Sequence, residues 1–152
     1  MFVADILERL ANIRGRQRKF DKAFVLMETT LEIRINILGP NHVKVSQALY
    51  SLGVLFDRNK EYDAAINSLS DCLEIQERIL GPTSLQYAET LAALGQSIGN
   101  QGDLKNAVEV WNEAIIIYEM NGYRLDNEKI VALENQLQKA EKILKSSATT
   151  KL

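Results

Sequence analysis

The sequence predicts an all-α fold made of three similar helix pairs followed by one further helix. Leu38-Gly39-Pro40 returns as Leu80-Gly81-Pro82, which sets a repeat period of 42 residues. Apolar residues recur at spacings of three and four along each unit, and this spacing indicates buried stripes on helices rather than strands. Glycine and proline fall where each unit would end, because glycine suits a helix end and proline cannot continue the helix.

The same period aligns residues of one size class in all three units. Large apolar positions are Leu7, Leu49 and Leu91, then Leu10, Leu52 and Leu94, then Met27, Leu69 and Trp111; small positions are Ala11, Gly53 and Gly95, then Ala23, Ala65 and Ala107. A small residue lets the partner helix approach closely, which offsets a helix-propensity cost of about 1 kcal/mol for glycine. We therefore expect close helix contacts at Gly53 and Gly95, and Trp111 in the core.

The units are predicted to span residues 1–42, 43–84 and 85–126, each with two helices joined by a polar turn. The expected helices cover about residues 3–15, 20–37, 43–58, 62–79, 84–100 and 104–121. A seventh helix over 127–145 has one apolar face but lacks the small repeat positions and the aromatic position held by Phe20 and Tyr62. It is predicted to cap the array with its polar face outward. Residues 146–152 are expected to form a flexible tail.

Composition excludes several classes of function. The 152 residues carry a net charge of −2, with 46% hydrophobic and 25% charged residues, so a folded globular domain is expected and nucleic acid is not an expected partner. No apolar run is long enough to span a bilayer and no secretory signal is evident, so no membrane association is expected. One cysteine, Cys72, and one histidine, His42, argue against a disulfide framework and a metal site. These features together favour a cytoplasmic protein.

Catalytic motifs are absent from the sequence. Neither GxGxxG nor GxxxxGK occurs, and no nucleophile stands beside a candidate base. Cys72 occupies a small packing position shared with Thr30 and Ala114, and His42 is placed in a loop without a nearby acid or thiol. The sequence therefore predicts a protein that is not an enzyme and that uses no cofactor.

The unit resembles a tetratricopeptide repeat (TPR). The pattern Leu-Glu-Ile-(Arg/Gln)-x-x-Ile-Leu-Gly-Pro at 31–40 and 73–82, with the small and aromatic positions in register, is similar to the 42-residue variant found in kinesin light chains. The resemblance covers residues 1 to about 122. It implies an α-α superhelix, a TPR solenoid, whose first helices line an inner groove that holds peptides.

The resemblance also implies the groove positions. They are Asp5, Glu8, Arg9, Asn12 and Arg16 in the first unit, Gln47, Tyr50, Ser51, Val54 and Arg58 in the second, and Glu89, Ala92, Ala93, Gln96 and Asn100 in the third. The three arginines suit acidic side chains of a ligand, and Tyr50 is an aromatic anchor. Alternatively, the arginines pair with Asp5, Glu8 and Asp57 or stay solvated, and Tyr50 is an ordinary exposed tyrosine.

Two ligand modes of related repeats fit poorly. Kinesin light chains often carry paired asparagines that bond a peptide backbone, but the matching positions here hold Tyr50-Ser51 and Ala92-Ala93. Chaperone-binding repeats clamp a terminal carboxylate with cations, and Glu8 places a negative charge in such a clamp. The basic run at 14–19 is read as a polar turn, with an import signal or a nucleic-acid or lipid contact as the less favoured interpretation.

The predicted function is a protein-interaction scaffold, a kinesin light chain-like adaptor that binds a peptide segment in its groove. The alternative is a regulatory or sensory TPR domain of a larger enzyme or signalling protein. The first helix is unusually apolar, because Ile6 and Ile13 stand where the third unit has Thr90 and Ser97. Free solenoid ends normally present polar faces, so we expect upstream repeats, self-association or a docked partner at this end.

Overall fold

A computed structural model describes residues 1–149, which form seven α-helices and no strand. The helices are α1 (Phe2–Arg16), α2 (Phe20–Leu38), α3 (Val43–Arg58), α4 (Tyr62–Leu80), α5 (Leu85–Gln101), α6 (Leu104–Met120) and α7 (Glu128–Thr149). The all-α class and the order of pairs followed by a single helix are thus confirmed, as a TPR solenoid of three pairs with a terminal helix. Six of the seven predicted helices agree with the structure to within a residue or two at each end.

The chain forms two compact units, Met1–Gly81 and Pro82–Leu152. In the first unit α1 pairs with α2, α3 pairs with α4, and α3 also packs on α2. In the second unit α5 pairs with α6, and α7 packs on α6. Each helix therefore packs on at least one neighbour in its own unit.

The core of the first unit joins α1, α2 and α3. Ala11, Ala23, Met27, Ala48, Leu52 and Leu55 form one buried cluster. The rings of Phe24 and Phe56 stack at its border with centroids 4.6 Å apart. Burial of these side chains holds α3 against α2 and α1.

The small repeat positions are sites of close helix contact, as expected. A Cβ atom on Gly53 would lie 2.6 Å from Leu69 Cγ, and one on Gly95 would lie 2.6 Å from Trp111 Cδ1. Trp111 is only 3% exposed, which confirms its place in the core. Glycine is required at these two positions because the facing side chain occupies the space of a methyl group.

Helix ends follow the predicted glycines and add a feature that the sequence interpretation missed. Gly39 and Gly81 have φ of +81° and +87°, a conformation that residues with a Cβ rarely adopt. His42, interpreted as a loop residue, is the N-cap of α3, and its Nδ1 accepts a hydrogen bond from the Lys44 N–H at 3.0 Å. Its role is to satisfy a helix terminus.

The predicted start of the flexible tail is wrong. Helix α7 continues through Thr149, so residues 146–149 are helical rather than part of a tail. No glycine or proline stops the helix after Lys145, and the hydroxyls of Ser146 and Ser147 donate to the Ile143 carbonyl one turn earlier. The rest of the predicted tail, 150–152, lies outside the described residues.

Candidate peptide-binding surface

The first helices of the pairs carry the predicted groove residues: α1 and α3 in the first compact unit, and α5 in the second. None of these side chains is fully buried. Arg9, Arg16, Gln47, Arg58 and Asn100 are exposed, and Asn12, Tyr50, Ser51, Val54, Glu89 and Gln96 are half-buried. Every predicted contact residue thus reaches the surface to some degree.

A buried arginine organises the α1 side of this surface. Arg34 of α2 is fully buried, and its Nη2 donates to Asp5 Oδ1 at 2.8 Å and to Glu8 Oε2 at 2.7 Å. Its Nη1 donates to the Lys44 carbonyl at 2.9 Å. One guanidinium group therefore ties α2 to α1 and to the first turn of α3, with the fork geometry that arginine offers to carboxylates.

The network extends to Ser51, one of the predicted peptide-binding residues. The Ser51 hydroxyl donates to Glu8 Oε1 at 2.9 Å, so Glu8 bridges α2 and α3. Asp5 also lies 3.8 Å from Lys44 Nζ. Asp5 and Glu8 are therefore neutralised by Arg34 and Lys44, which differs from the alternative in which they neutralise the groove arginines.

The environment of Asp5 shifts its ionisation. The hydrogen bond from Arg34 is the main reason that the pKa of Asp5 lies below its ordinary value of 3.8, and the positive charge of Lys44 acts in the same direction. Partial desolvation opposes this shift. Asp5 thus stays ionised and paired to lower pH than an isolated aspartate.

Sequence reasoning missed Arg34, although a signal was present. Arg34 follows Met27 and Thr30 at helical spacing, on the stripe that is buried in α2. The 42-residue period aligns it with Gln76 and Tyr118, which are 4% and 2% exposed. A polar residue at the same register of each second helix, in line with core positions, indicates a buried polar site.

In the second unit, α7 contacts one of the predicted groove residues of α5, Glu89. Lys129 of α7 forms an ion pair with Glu89, and its Nζ lies 5.7 Å from the centre of the Tyr118 ring. Further along α5, Gln96 Nε2 donates to Asn100 Oδ1 at 2.9 Å. Glu89 is therefore engaged by the terminal helix, and Gln96 and Asn100 are held together on one face of α5.

The predicted groove residues of α1 and α3 that remain outside the Arg34 network are mainly basic and aromatic. Arg9 and Arg16 are exposed on α1, and Arg58 is exposed in the last turn of α3. Half-buried Tyr50 and Val54 lie on the same helix as Arg58. Such a face offers guanidinium groups for carboxylates and an apolar surface for a side chain of a ligand.

Among residues 1–149 no group of three or more histidine, cysteine, aspartate or glutamate side chains is placed to hold a metal ion. Over the same residues, no helix has the length and apolar character that a transmembrane segment requires.

Comparisons with known proteins agree with this architecture. The family model for the tetratricopeptide repeat matches residues 2–77. No curated protein matches the sequence significantly.

Several solved structures share the fold at low sequence identity. A Podosopora anserina protein described as a kinesin light chain with nearly identical TPR-like repeats has a TM-score of 0.80 and 18% identity over 90% of this chain and 64% of its own. BtubC (BKLC) from P. vanneervenii has a TM-score of 0.73 and 20% identity over 96% of this chain and 62% of its own. The Sgt2 TPR domain from Aspergillus fumigatus has a TM-score of 0.69 and 16% identity over 96% and 82%.

The chain spans less than two thirds of the first two of these structures. At such identities the likeness establishes the fold, and that fold is generally a non-catalytic module for protein interaction. Because the family model covers half of the chain and the helix pairs follow the same repeat, the chain belongs to the tetratricopeptide repeat family.

Proposed function

We propose that this protein is an interaction scaffold that binds an acidic peptide segment on the α1 and α3 face of its first unit. The observation that carries the proposal is the Arg34 network. Asp5 and Glu8 pair with buried Arg34 and with Lys44, so the exposed Arg9, Arg16 and Arg58 give that face an excess of positive charge. A ligand with carboxylates complements those charges, and Tyr50 supplies an aromatic anchor.

A face that binds acidic peptides fits the adaptor role that the resemblance to kinesin light chain repeats suggests. A clamp for a terminal carboxylate is disfavoured, because Glu8 already holds Arg34 and Ser51 and adds a negative charge at that position. The alternative, a regulatory TPR domain of a larger enzyme or signalling protein, uses the same face with a segment supplied by its own chain.

The test is a binding screen followed by a charge-matched comparison. Acidic, neutral and basic peptides of equal length are measured against the purified chain by fluorescence anisotropy, and the acidic set is expected to bind. In the variant Arg9→Glu, Tyr50→Ala, Arg58→Glu, affinity for the selected peptide should fall by about tenfold or more, because two charge pairs and an anchor are lost.

The matched control is Lys139→Glu, Lys142→Glu, which makes the same change in net charge on exposed positions of α7. It should leave affinity within about twofold, because neither lysine belongs to the α1 and α3 face. An equal loss in both variants would identify non-specific attraction. Retained affinity in the first variant would place the ligand elsewhere.

A further inference from the structure

Helix α1 has a second surface, on the side away from the helices it packs against. Phe2, Val3, Ile6 and Ile13 are 77%, 59%, 47% and 49% exposed. The opposite side of the same helix is buried at Ala4 and Ala11. We call the exposed set Phe2, Val3, Ile6 and Ile13 the outer face of α1.

The repeat itself shows what this face is shaped to contact. One period later, the positions of Val3, Ile6 and Ile13 are held by three residues of α3, and these are 2%, 0% and 1% exposed: Val45, Ala48 and Leu55. Helix α3 packs on α2, and Ala48 and Leu55 share a buried cluster with Ala23 and Met27 of α2. These positions on α3 are therefore covered by α2, the second helix of the preceding pair. The outer face of α1 carries apolar residues suited to the same kind of contact with a helix.

The edges of the outer face are positively charged. At 3.6 residues per turn, Arg9 and Arg16 lie along one edge of the stripe and Arg14 lies along the other. The nearby carboxylates of Asp5 and Glu8 are hydrogen-bonded to buried Arg34. An occupant is therefore favoured if carboxylates border its apolar side.

We propose that the outer face of α1 docks an amphipathic helix of a partner protein whose apolar face is bordered by aspartate and glutamate. A second copy of this chain fits poorly, because pairing two α1 faces brings their arginines together. The exposed side of α7 is no better as an occupant, since Lys139, Lys142 and Lys145 stand there beside Glu128 and Glu141, whereas the outer face of α1 favours an apolar side bordered by carboxylates. The apolar stripe of this surface lies outside the peptide-binding face of the proposed function, and the two surfaces share Arg9 and Arg16 at their common edge.

The chain itself supplies a matched pair of probes. Peptides of residues 19–39 and 61–81 reproduce α2 and α4, which carry apolar residues at equivalent repeat positions. The second peptide contains Cys72→Ala to prevent oxidation. The first carries three cations and three carboxylates, whereas the second carries one cation and five carboxylates. In fluorescence anisotropy at low salt, the 61–81 peptide should bind at least about fivefold more tightly, and the difference should narrow as salt is added.

Substitutions separate the outer face from other sites. The variant Ile6→Asp, Ile13→Asp should weaken binding of the 61–81 peptide by about tenfold or more, because two anchors in the contact become charged. The matched control Val25→Asp, Ile116→Asp changes apolar residues that are 62% and 56% exposed on other helices and should leave affinity unchanged. The variant Tyr50→Ala, Arg58→Glu alters two residues of the proposed peptide-binding face and should still bind the 61–81 peptide. Circular dichroism verifies equal helicity.

Each other outcome overturns the proposal. Failure of both peptides to bind the unaltered chain removes the docking site, and an equal loss in the Val25 and Ile116 control shows that the contact lies elsewhere. If light scattering finds a dimer that Ile6→Asp, Ile13→Asp dissolves, the occupant is a second copy. If a longer natural chain with a helix pair before Met1 no longer binds the peptide, the occupant is that preceding helix.

Discussion

At the residue scale, the Arg34 side chain connects three helices of the first unit through hydrogen bonds. Its side chain is fully buried between Asp5, Glu8 and the Lys44 carbonyl. Arg34→Ala should lower the free energy of unfolding by about 2–4 kcal/mol, because it removes three hydrogen bonds, two of them to carboxylates, and leaves a cavity, while Asp5 and Glu8 keep contact with water. Urea denaturation followed by circular dichroism measures the loss.

Arg78→Ala is the matched control for that substitution. Arg78 is half-exposed and pairs with Glu74 at 2.9 Å on the surface of α4. Its removal should cost only about 0–1 kcal/mol, since exposed ion pairs are screened and weakly stabilising. Equal losses for the two arginines would show that burial does not strengthen the Arg34 network.

Asp5 gives the first unit a defined response to acid. Its pKa is lower in the folded chain than its ordinary value of 3.8, so the stabilisation from Arg34 is present above that value and is lost as the pH falls through the folded-state pKa. The chain should exceed Asp5→Asn in stability at neutral pH, and this gap should shrink below about pH 4. Urea denaturation of both proteins across this range measures the gap. A gap that stays constant or grows on acidification would contradict the assignment.

At the element scale, close helix pairing depends on what faces each glycine. A Cβ on Gly95 would lie 2.6 Å from both Cδ1 and Nε1 of the rigid Trp111 ring, whereas a Cβ on Gly15 would meet Cδ2 of Leu55, a terminal methyl group. Gly95→Ala should therefore destabilise the chain by about 1–3 kcal/mol, although alanine favours helix formation. Gly15→Ala should cost less, because a leucine methyl moves more easily than an indole. Thermal melts compare the two, and a larger cost at Gly15 would refute the argument.

At the scale of the whole molecule, function depends on which faces remain after the helices have packed. The repeat supplies three similar pairs, but the terminal helices differ in chemistry. Helix α7 buries Ile130, Leu133 and Ala140 and presents lysines and glutamates outward, whereas α1 presents apolar residues edged by arginines. The peptide and helix binding experiments proposed above test these two uses of the first unit separately.

The helices, their pairing in repeats and the helix ends at glycine can be predicted from the sequence alone, because they depend on local propensity and on a period visible along the chain. Leu38-Gly39-Pro40 and its copy at 80–82 mark helix ends that the structure confirms. Sequence reasoning also identified the exposed apolar face of α1, where Ile6 and Ile13 differ from the third unit.

Which charges of the candidate surface are satisfied depends on contacts between helices that lie far apart in the sequence. Arg34 meets Asp5 across 29 residues, Ser51 meets Glu8 across 43, and Lys129 meets Glu89 across 40. Periodicity assigns a residue to a helix face but does not show which charged side chain reaches across to it from another helix. Those pairings depend on how closely the helices pack, and they determine which arginines and carboxylates remain to bind a partner.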